Sequence, residues 1–490
     1  MRDYKYYLDL TSEIGFVEEA SNAIVYISGL PNVKTDEIVI FETDEIGMVL
    51  SFTSEVVKVL VFSKKPISHG TKVTRTNEFL KVPVGTELFG KIIDPLGNSL
   101  TPMNFYKKPS LSRRINTFAS GILSRKTIVR QFETGIPAVD LVMPLGFGQR
   151  ELIIGDRKTG KTNFLMQTIL FQAKEKNICV YAAIGKKKLD IKDAEGFFKK
   201  YGIFDQVIFV ATGFDDPIGL SFLVPFSAMT ICEHFRDEGY DVLLVLDDLT
   251  THAKFYREIS LLGKKFPGRN SYPGDIFYTH AKLLERAGNF ITEKGEKAIT
   301  CLPIAETIQG DLSGYIQTNI MSMTDGHLYF DSDLFAKGRR PAINPFLSVT
   351  RVGRQTQSAL KRGINREILS FLTISEKMQN FSHFGAELSE SSKATLAIGE
   401  KVIKFLNQGP STIMPINLQI ILFCMFWNNI LQQKDIELTG EDVDKMIKTY
   451  KTKPDVKKAI DKIIEDTKTF NDLLGIIKKN GEQLLAQLKT

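Results

Sequence analysis

The stretch GDRKTGKTNF, residues 155–164, decides the reading of the fold. Gly155, Gly160, Lys161 and Thr162 fill the pattern G-x-x-x-x-G-K-[ST]. The run ELII before it is a strand signal, and a helical stretch begins near Asn163, which is the context this pattern requires. Across Gly155, Asp156, Arg157, Lys158, Thr159 and Gly160 the glycines let backbone N–H groups face phosphate oxygens, and the helix N-terminus adds a favourable dipole. Lys161 is suited to neutralise β- and γ-phosphate oxygens, and the Thr162 hydroxyl to bind Mg²⁺.

Working outward, DVLLVLDD is an apolar strand ending in Asp247 and Asp248. A carboxylate in that position holds Mg²⁺, commonly through water, and Asp247 is the better candidate because it comes straight off the strand. Hydrolysis needs a further carboxylate or amide to orient the attacking water. Its natural place is the end of a strand expected beside the P-loop strand, in YAAIGKKKLD, where Lys186 stands. An ammonium carries no acceptor lone pair, so Lys186 is not a base.

The first eighty residues are short β-branched or aromatic runs (AIVYISGL, DEIVIFE, GMVLSF, EVVKVLVF), a pattern that predicts a six-stranded barrel over 1–80. From 81 to 357, apolar strands such as ELIIG, ICVYAAIG, QVIFVATG and AITCLPI alternate with helical stretches. Such runs are buried on both faces and predict a mostly parallel α/β sheet. From 358 to 490 only helical spacing remains, which predicts a helical bundle.

Composition narrows the function classes. The chain has 490 residues and a formal net charge of +6, with lysine and acid interleaved almost everywhere, so no basic face for nucleic acid stands out. Cys179, Cys232, Cys301 and Cys424 are far apart, without CxxC pairs, which argues for buried inert thiols rather than zinc or disulfides. The longest apolar run, Ile420 to Trp427, is too short for a bilayer, and the first fifteen residues lack a signal-peptide core. A cytoplasmic protein is expected, touching a membrane only through partners.

GQRELIIGDRKTGKT resembles the P-loop of the α subunit of F1-type ATP synthases. VPVGTELFGKIIDPLGN, ETGIPAVDLVMPLGFGQRELIIGD, PGRNSYPGDIFY, ETIQGDLSGYIQTNIMSMTDG and RRPAINPFLSVTRVG follow as further signatures of that family, in order. The resemblance implies a β-barrel, a RecA-like nucleotide domain and a helical domain. It also implies an alternating α3β3 ring with a catalytic β-type subunit and a central γ-type shaft, at the cytoplasmic face of the membrane. It implies ATP or ADP with Mg²⁺, bound without catalysis by this subunit. The arginine finger of the family's S-V-S-R-V-G motif falls on Arg351 of SVTRVG, and acts on the neighbouring subunit. The adenine pocket falls on Arg340, Pro341 and Gln408.

Several positions depart from the family. Lys186 replaces the α subunit's glutamine and the β subunit's glutamate, Lys158 replaces a P-loop glutamine, and Pro410 replaces a second glutamine near the base. The segment before the barrel is shorter than in the family's α subunits, where it docks the stator cap. These departures leave open a specialised F1-like motor of the kind found in wall-less bacteria, driving motility or another process instead of synthesis. A self-sufficient homohexameric ATPase would need an acid at position 186, and a nucleic-acid translocase would need basic loops facing its pore. FSHFGAELSESSKATL matches the family's shaft-facing helix–turn–helix.

Overall fold

A computed structural model describes residues 2–101, 106–383, 399–400, 402–409, 412–431 and 440–489. The protein forms two compact units. One comprises Met1–Lys126, Lys176–Glu306 and Asp311–Thr324, and the other Thr127–Glu175, Thr307–Gly310 and Asp325–Thr490.

The first unit opens with six strands: β1 Gly15–Ser21, β2 Ile24–Ser28, β3 Glu37–Phe41, β4 Ile46–Phe52, β5 Val57–Val61 and β6 Lys72–Phe79. They close into a barrel in the order β1-β2-β5-β4-β3-β6, all neighbours antiparallel. Val17, Val25, Ile27, Val39, Phe41, Val49, Val59 and Val73 fill its interior. Closure leaves no unpaired edge, which suits so short a set of strands. The four quoted runs are β2 to β5. β1 is harder to read because Glu18 and Glu19 are exposed and a bulge separates Val17 from Glu19.

The same unit carries parallel strands in the order Gly295–Glu306, Val242–Asp247, Ile178–Lys186, Val207–Gly213 and Ile92–Ile93. Helix Ile218–Asp237 covers these strands. It is long and apolar enough to cross a membrane, but most of it is buried inside the protein, which makes it a core helix. The strand ending at Lys186 does not neighbour the P-loop strand, contrary to the expectation from sequence. Its partners are Val207–Gly213 and Val242–Asp247, because the crossover connections do not follow sequence order.

In the second unit the P-loop strand Glu151–Gly155 pairs in parallel with Gly326–Phe330, Gly155 standing opposite Phe330. Val349–Thr350 runs antiparallel to the start of Gly326–Phe330. The helical region contains Ala359–His383, Ile416–Trp427, Gly440–Thr452, Pro454–Asp466 and Phe470–Lys489. As expected for the longest apolar run, Ile420 to Met425 are buried. Pro454–Asp466 and Phe470–Lys489 are separate helices. The Thr469 hydroxyl accepts from the Asp472 N–H at 3.2 Å and donates to the Asp472 carboxylate at 2.5 Å, so Thr469 starts a new helix rather than continuing the old one. The expected shaft-facing FSHFGAELSESSKATL lies, from residue 384 onward, outside the described residues, as does Pro410.

Candidate nucleotide-binding site

The strand Glu151–Gly155 turns into helix Lys161–Lys174 through a loop that only particular residues can form. Gly155 has φ +156°, and a Cβ there would run into the Phe330 carbonyl oxygen of the paired strand. Lys158 and Gly160 also sit at positive φ, +63° and +91°. Gly160 is the N-cap of this helix and supplies no side-chain hydrogen bond to its first turn. Thr159 Oγ1 donates to the Asp156 carbonyl at 2.8 Å. Asp156 is turned away from the cradle. One of its carboxylate oxygens accepts from Thr307 Oγ1 at 2.5 Å, and both lie within reach of the Gly310 N–H, at 3.0 and 3.1 Å.

Lys161 is buried and its ammonium donates to the carbonyls of Gly155, at 2.8 Å, and Asp156, at 2.5 Å. The cation therefore lies folded over the mouth of the loop it is expected to serve. Thr162 and Arg157 are exposed. A helix N-terminus, a buried ammonium and backbone room provided by glycine fit a phosphate group.

The second unit also gathers the three residues expected at the base. Arg340 packs its guanidinium 3.5 Å from the Phe335 ring centre and donates to the Phe335 carbonyl at 2.8 Å. The Gln408 N–H donates to the Arg340 carbonyl at 2.7 Å, and the Gln408 amide nitrogen donates to the carbonyls of Gly135 and Thr412. Gln408 Oε1 is buried with no partner among the described residues, an acceptor available to a ligand donor. Pro341 is half-buried. Sequence reasoning missed Phe335, whose ring lies 3.5 Å from where a Cβ on Gly160 would be, and Asn407, whose side chain accepts from the Arg340 N–H. Neither residue belongs to the quoted motifs.

Arg351 has an exposed side chain that makes no hydrogen bond or ion pair among the described residues. Its backbone is fixed on every side. The Arg351 N–H donates to the Asp325 carbonyl at 3.1 Å, and Asp325 is held by Arg150 at 2.7 Å. Thr350 Oγ1 donates to the Pro144 carbonyl at 3.0 Å and accepts from the Gly353 N–H at 3.1 Å. Buried Glu151 lies nearby. Burial pushes its carboxyl well above the ordinary range, against the hydrogen bond from Gln149 and the charge of Arg351.

In the first unit Asp247 and Asp248 are both buried. Asp248 caps helix Leu249–Leu262 by accepting from the Thr251 N–H at 2.6 Å. Lys186 Nζ reaches Asp247 Oδ1 at 2.5 Å, and Tyr181 donates to Asp247 Oδ2 at 2.6 Å. Burial alone would lower the Lys186 pKa. The two carboxylates outweigh it and hold the ammonium above the ordinary lysine value. For Mg²⁺ the donor sets differ. The Thr162 hydroxyl is exposed, whereas each Asp247 oxygen already holds one partner, Lys186 on Oδ1 and Tyr181 on Oδ2. Cys179, Cys232, Cys301 and Cys424 are all buried thiols, as the sequence suggested.

The strand, glycine-rich loop and helix at 151–174 are those of a P-loop nucleotide-binding protein. The nucleotide-binding domain of the ATP synthase alpha/beta family matches residues 135–350, and the family's C-terminal domain matches 353–480. The protein is 39% identical over 439 residues to the ATP synthase subunit alpha of Neorickettsia sennetsu, an overlap of 88% of its own length and 86% of that protein's. The chain belongs to the ATP synthase alpha/beta family. Its likeness to an alpha subunit bears out the resemblance read from the motifs, together with the barrel, the mostly parallel strands and the helical region.

Proposed function

We propose that this protein is the non-catalytic, nucleotide-binding alpha-type subunit of an F1-like rotary ATPase. It holds ATP or ADP on its own P-loop and offers Arg351 to the catalytic site of a neighbouring β-type subunit, in a ring that surrounds a γ-type shaft. The assembly sits at the cytoplasmic face of the membrane through its partners.

The observation that carries this reading is Lys186. By the resemblance it replaces the family's glutamine or glutamate, and its ammonium is tied to Asp247 at 2.5 Å. A paired ammonium has nothing with which to accept a proton from water. Arg351 adds support from the other direction, because an exposed guanidinium on a fixed backbone is free to serve another subunit. A finger of this kind raises turnover by about 10³ to 10⁵.

The test is turnover by the purified protein alone. It should bind ATP and hydrolyse it negligibly, and hydrolysis should appear when a β-type subunit is added. A steady rate of about one per second from the protein alone, abolished by Lys161→Ala, would refute the reading and favour a self-sufficient homohexamer.

A further inference from the structure

The barrel has an outer face as well as a core. Val57, Val59 and Val61 of β5 and Val49 of β4 fill the barrel, so strand alternation turns Met48, Lys58 and Leu60 outward. Met48 and Leu60 are nevertheless buried. With Leu80, Leu223, Phe226 and Ile259 they wall a cavity of about 390 Å³, every lining residue of which belongs to the first unit. Pockets that hold small organic ligands run from about 300 to 1,000 Å³, mostly apolar with a few placed polar groups.

The charges on this cavity do not balance. Lys265 and Asp275 neutralise each other at 3.0 Å, which leaves Lys58, Arg114 and Lys282 against Asp36 alone. Lys58 and Lys282 bond to neutral oxygens, the Gly263 carbonyl and, at 2.5 Å, the Asn116 amide. Asn116 in turn donates to the Asp36 carboxylate at 2.5 Å, so it stands between Lys282 and the one carboxylate left over. Burial lowers the pKa of Lys282, with Arg286 and Arg114 adding to it against Asp36, and burial with Lys265 and Lys264 lowers that of Lys58. Arg114 lies on the Phe79 ring, 3.7 Å from its centre, and its guanidinium makes no hydrogen bond or ion pair among the described residues. Five donors in a fixed fork, beside an ammonium, suit a carboxylate. A separate observation points the same way. Ser260, 4% exposed, lines the cavity, and its hydroxyl has no partner among the described residues. A buried polar group left unpaired is costly unless something binds it.

We propose that this cavity binds a free organic acid with an apolar body, its carboxylate held by Arg114 and Lys282. The apolar walls take up the body, and Ser260 offers a further hydrogen bond. Water alone suits the space poorly, because a buried water needs two to four polar partners and most of this lining has none to give. The site is independent of the P-loop and of the role given to Arg351.

The test is calorimetric titration of 4-phenylbutyrate into the full-length protein, with 4-phenylbutanol as the neutral control. The acid should saturate one site with a Kd below about 1 mM, which a ligand of this size reaches in a fitting pocket. The alcohol should bind about tenfold more weakly or worse, for want of charge-assisted hydrogen bonds. Arg114→Gln alters an exposed side chain, so the fold should hold while affinity for the acid falls by about tenfold. Ser260→Leu fills the cavity and should abolish binding. Equal affinity for acid and alcohol would overturn the proposal, as would an Arg114→Gln protein that binds the acid like wild type. Binding that survives in a folded Ser260→Leu protein would put the ligand elsewhere and overturn it too. Should Ser260→Leu not fold, the alcohol and Arg114→Gln still decide. Acid binding lost when a β-type subunit is added would assign the cavity to that subunit instead, against the proposal.

Discussion

Gly353 lies against the Pro144 carbonyl oxygen so closely that a Cβ at 353 would stand far inside contact distance. The same carbonyl accepts from Thr350 Oγ1, and the Gly353 N–H donates to that hydroxyl, so the two residues flanking Arg351 and Val352 are locked to one point. Gly353→Ala has no room, and a backbone oxygen cannot step aside. It should cost about 3 kcal/mol of stability, as overpacking does, and lower the melting temperature. An unchanged melting temperature would mean that the Arg351 turn is softer than its contacts indicate.

Arg351→Ala should leave the fold intact. The exposed side chain makes no bond among the described residues, so stability should change by no more than about 0.5 kcal/mol, and the subunit's own nucleotide should be retained. In a reconstituted complex with a β-type subunit, turnover should fall by about 10³ or more. Arg351→Lys should also be severe, because a compact ammonium does not reproduce the planar fork of donors. Wild-type turnover in either mutant complex would return Arg351 to an ordinary interface charge.

At the P-loop, Lys161→Ala removes the buried ammonium that spans the Gly155 and Asp156 carbonyls. Charge-assisted contacts to phosphate are worth about 1.5–3 kcal/mol, so ATP affinity should weaken by about ten- to a hundredfold. Thr162→Ala should weaken binding less. Assembled-motor turnover should suffer less than affinity does in both mutants. If both bind ATP as tightly as wild type, the phosphate cradle has been misassigned.

The buried imidazoles of His252 and His280 face each other at 3.0 Å between ring nitrogens. Burial lowers the His252 pKa to about 4 and that of His280 well below the ordinary value of 6.5, with His252 a further cause for His280. Both folded values lie below the unfolded one. Their contribution is therefore fully present above pH 6.5 and is lost as pH falls toward 4. Each should add a slope of up to about 1.4 kcal/mol per pH unit in that window. His252→Gln should flatten the dependence of melting temperature on pH between about 6.5 and about 5. An equally steep profile in the variant would show that the pair is not the source.

Much of this was written locally. The strand–loop–helix at 151–174 was legible because the cradle needs glycines at fixed positions, and sequence neighbours supply all of its backbone donors. The apolar runs located four of the six barrel strands and the buried helix Ile416–Trp427. Gly326–Phe330, which flanks the P-loop strand, escaped notice because it is short and carries a histidine and a tyrosine in place of β-branched residues.

The sequence by itself determined the elements and the phosphate loop, since periodicity, glycine placement and motif spacing act within a few residues. It also determined that position 186 is a cation rather than a base. Only the tertiary structure decided what that cation does. Strand order sets Val242–Asp247, not the P-loop strand, beside Ile178–Lys186, and one bulge turns Lys186 onto Asp247. Pairing between strands that lie far apart in sequence is fixed by burial and register, which no local pattern encodes. The same holds for Arg351, whose backbone is held by the Asp325 carbonyl and the Thr350–Pro144 contact while Arg150 takes the Asp325 carboxylate.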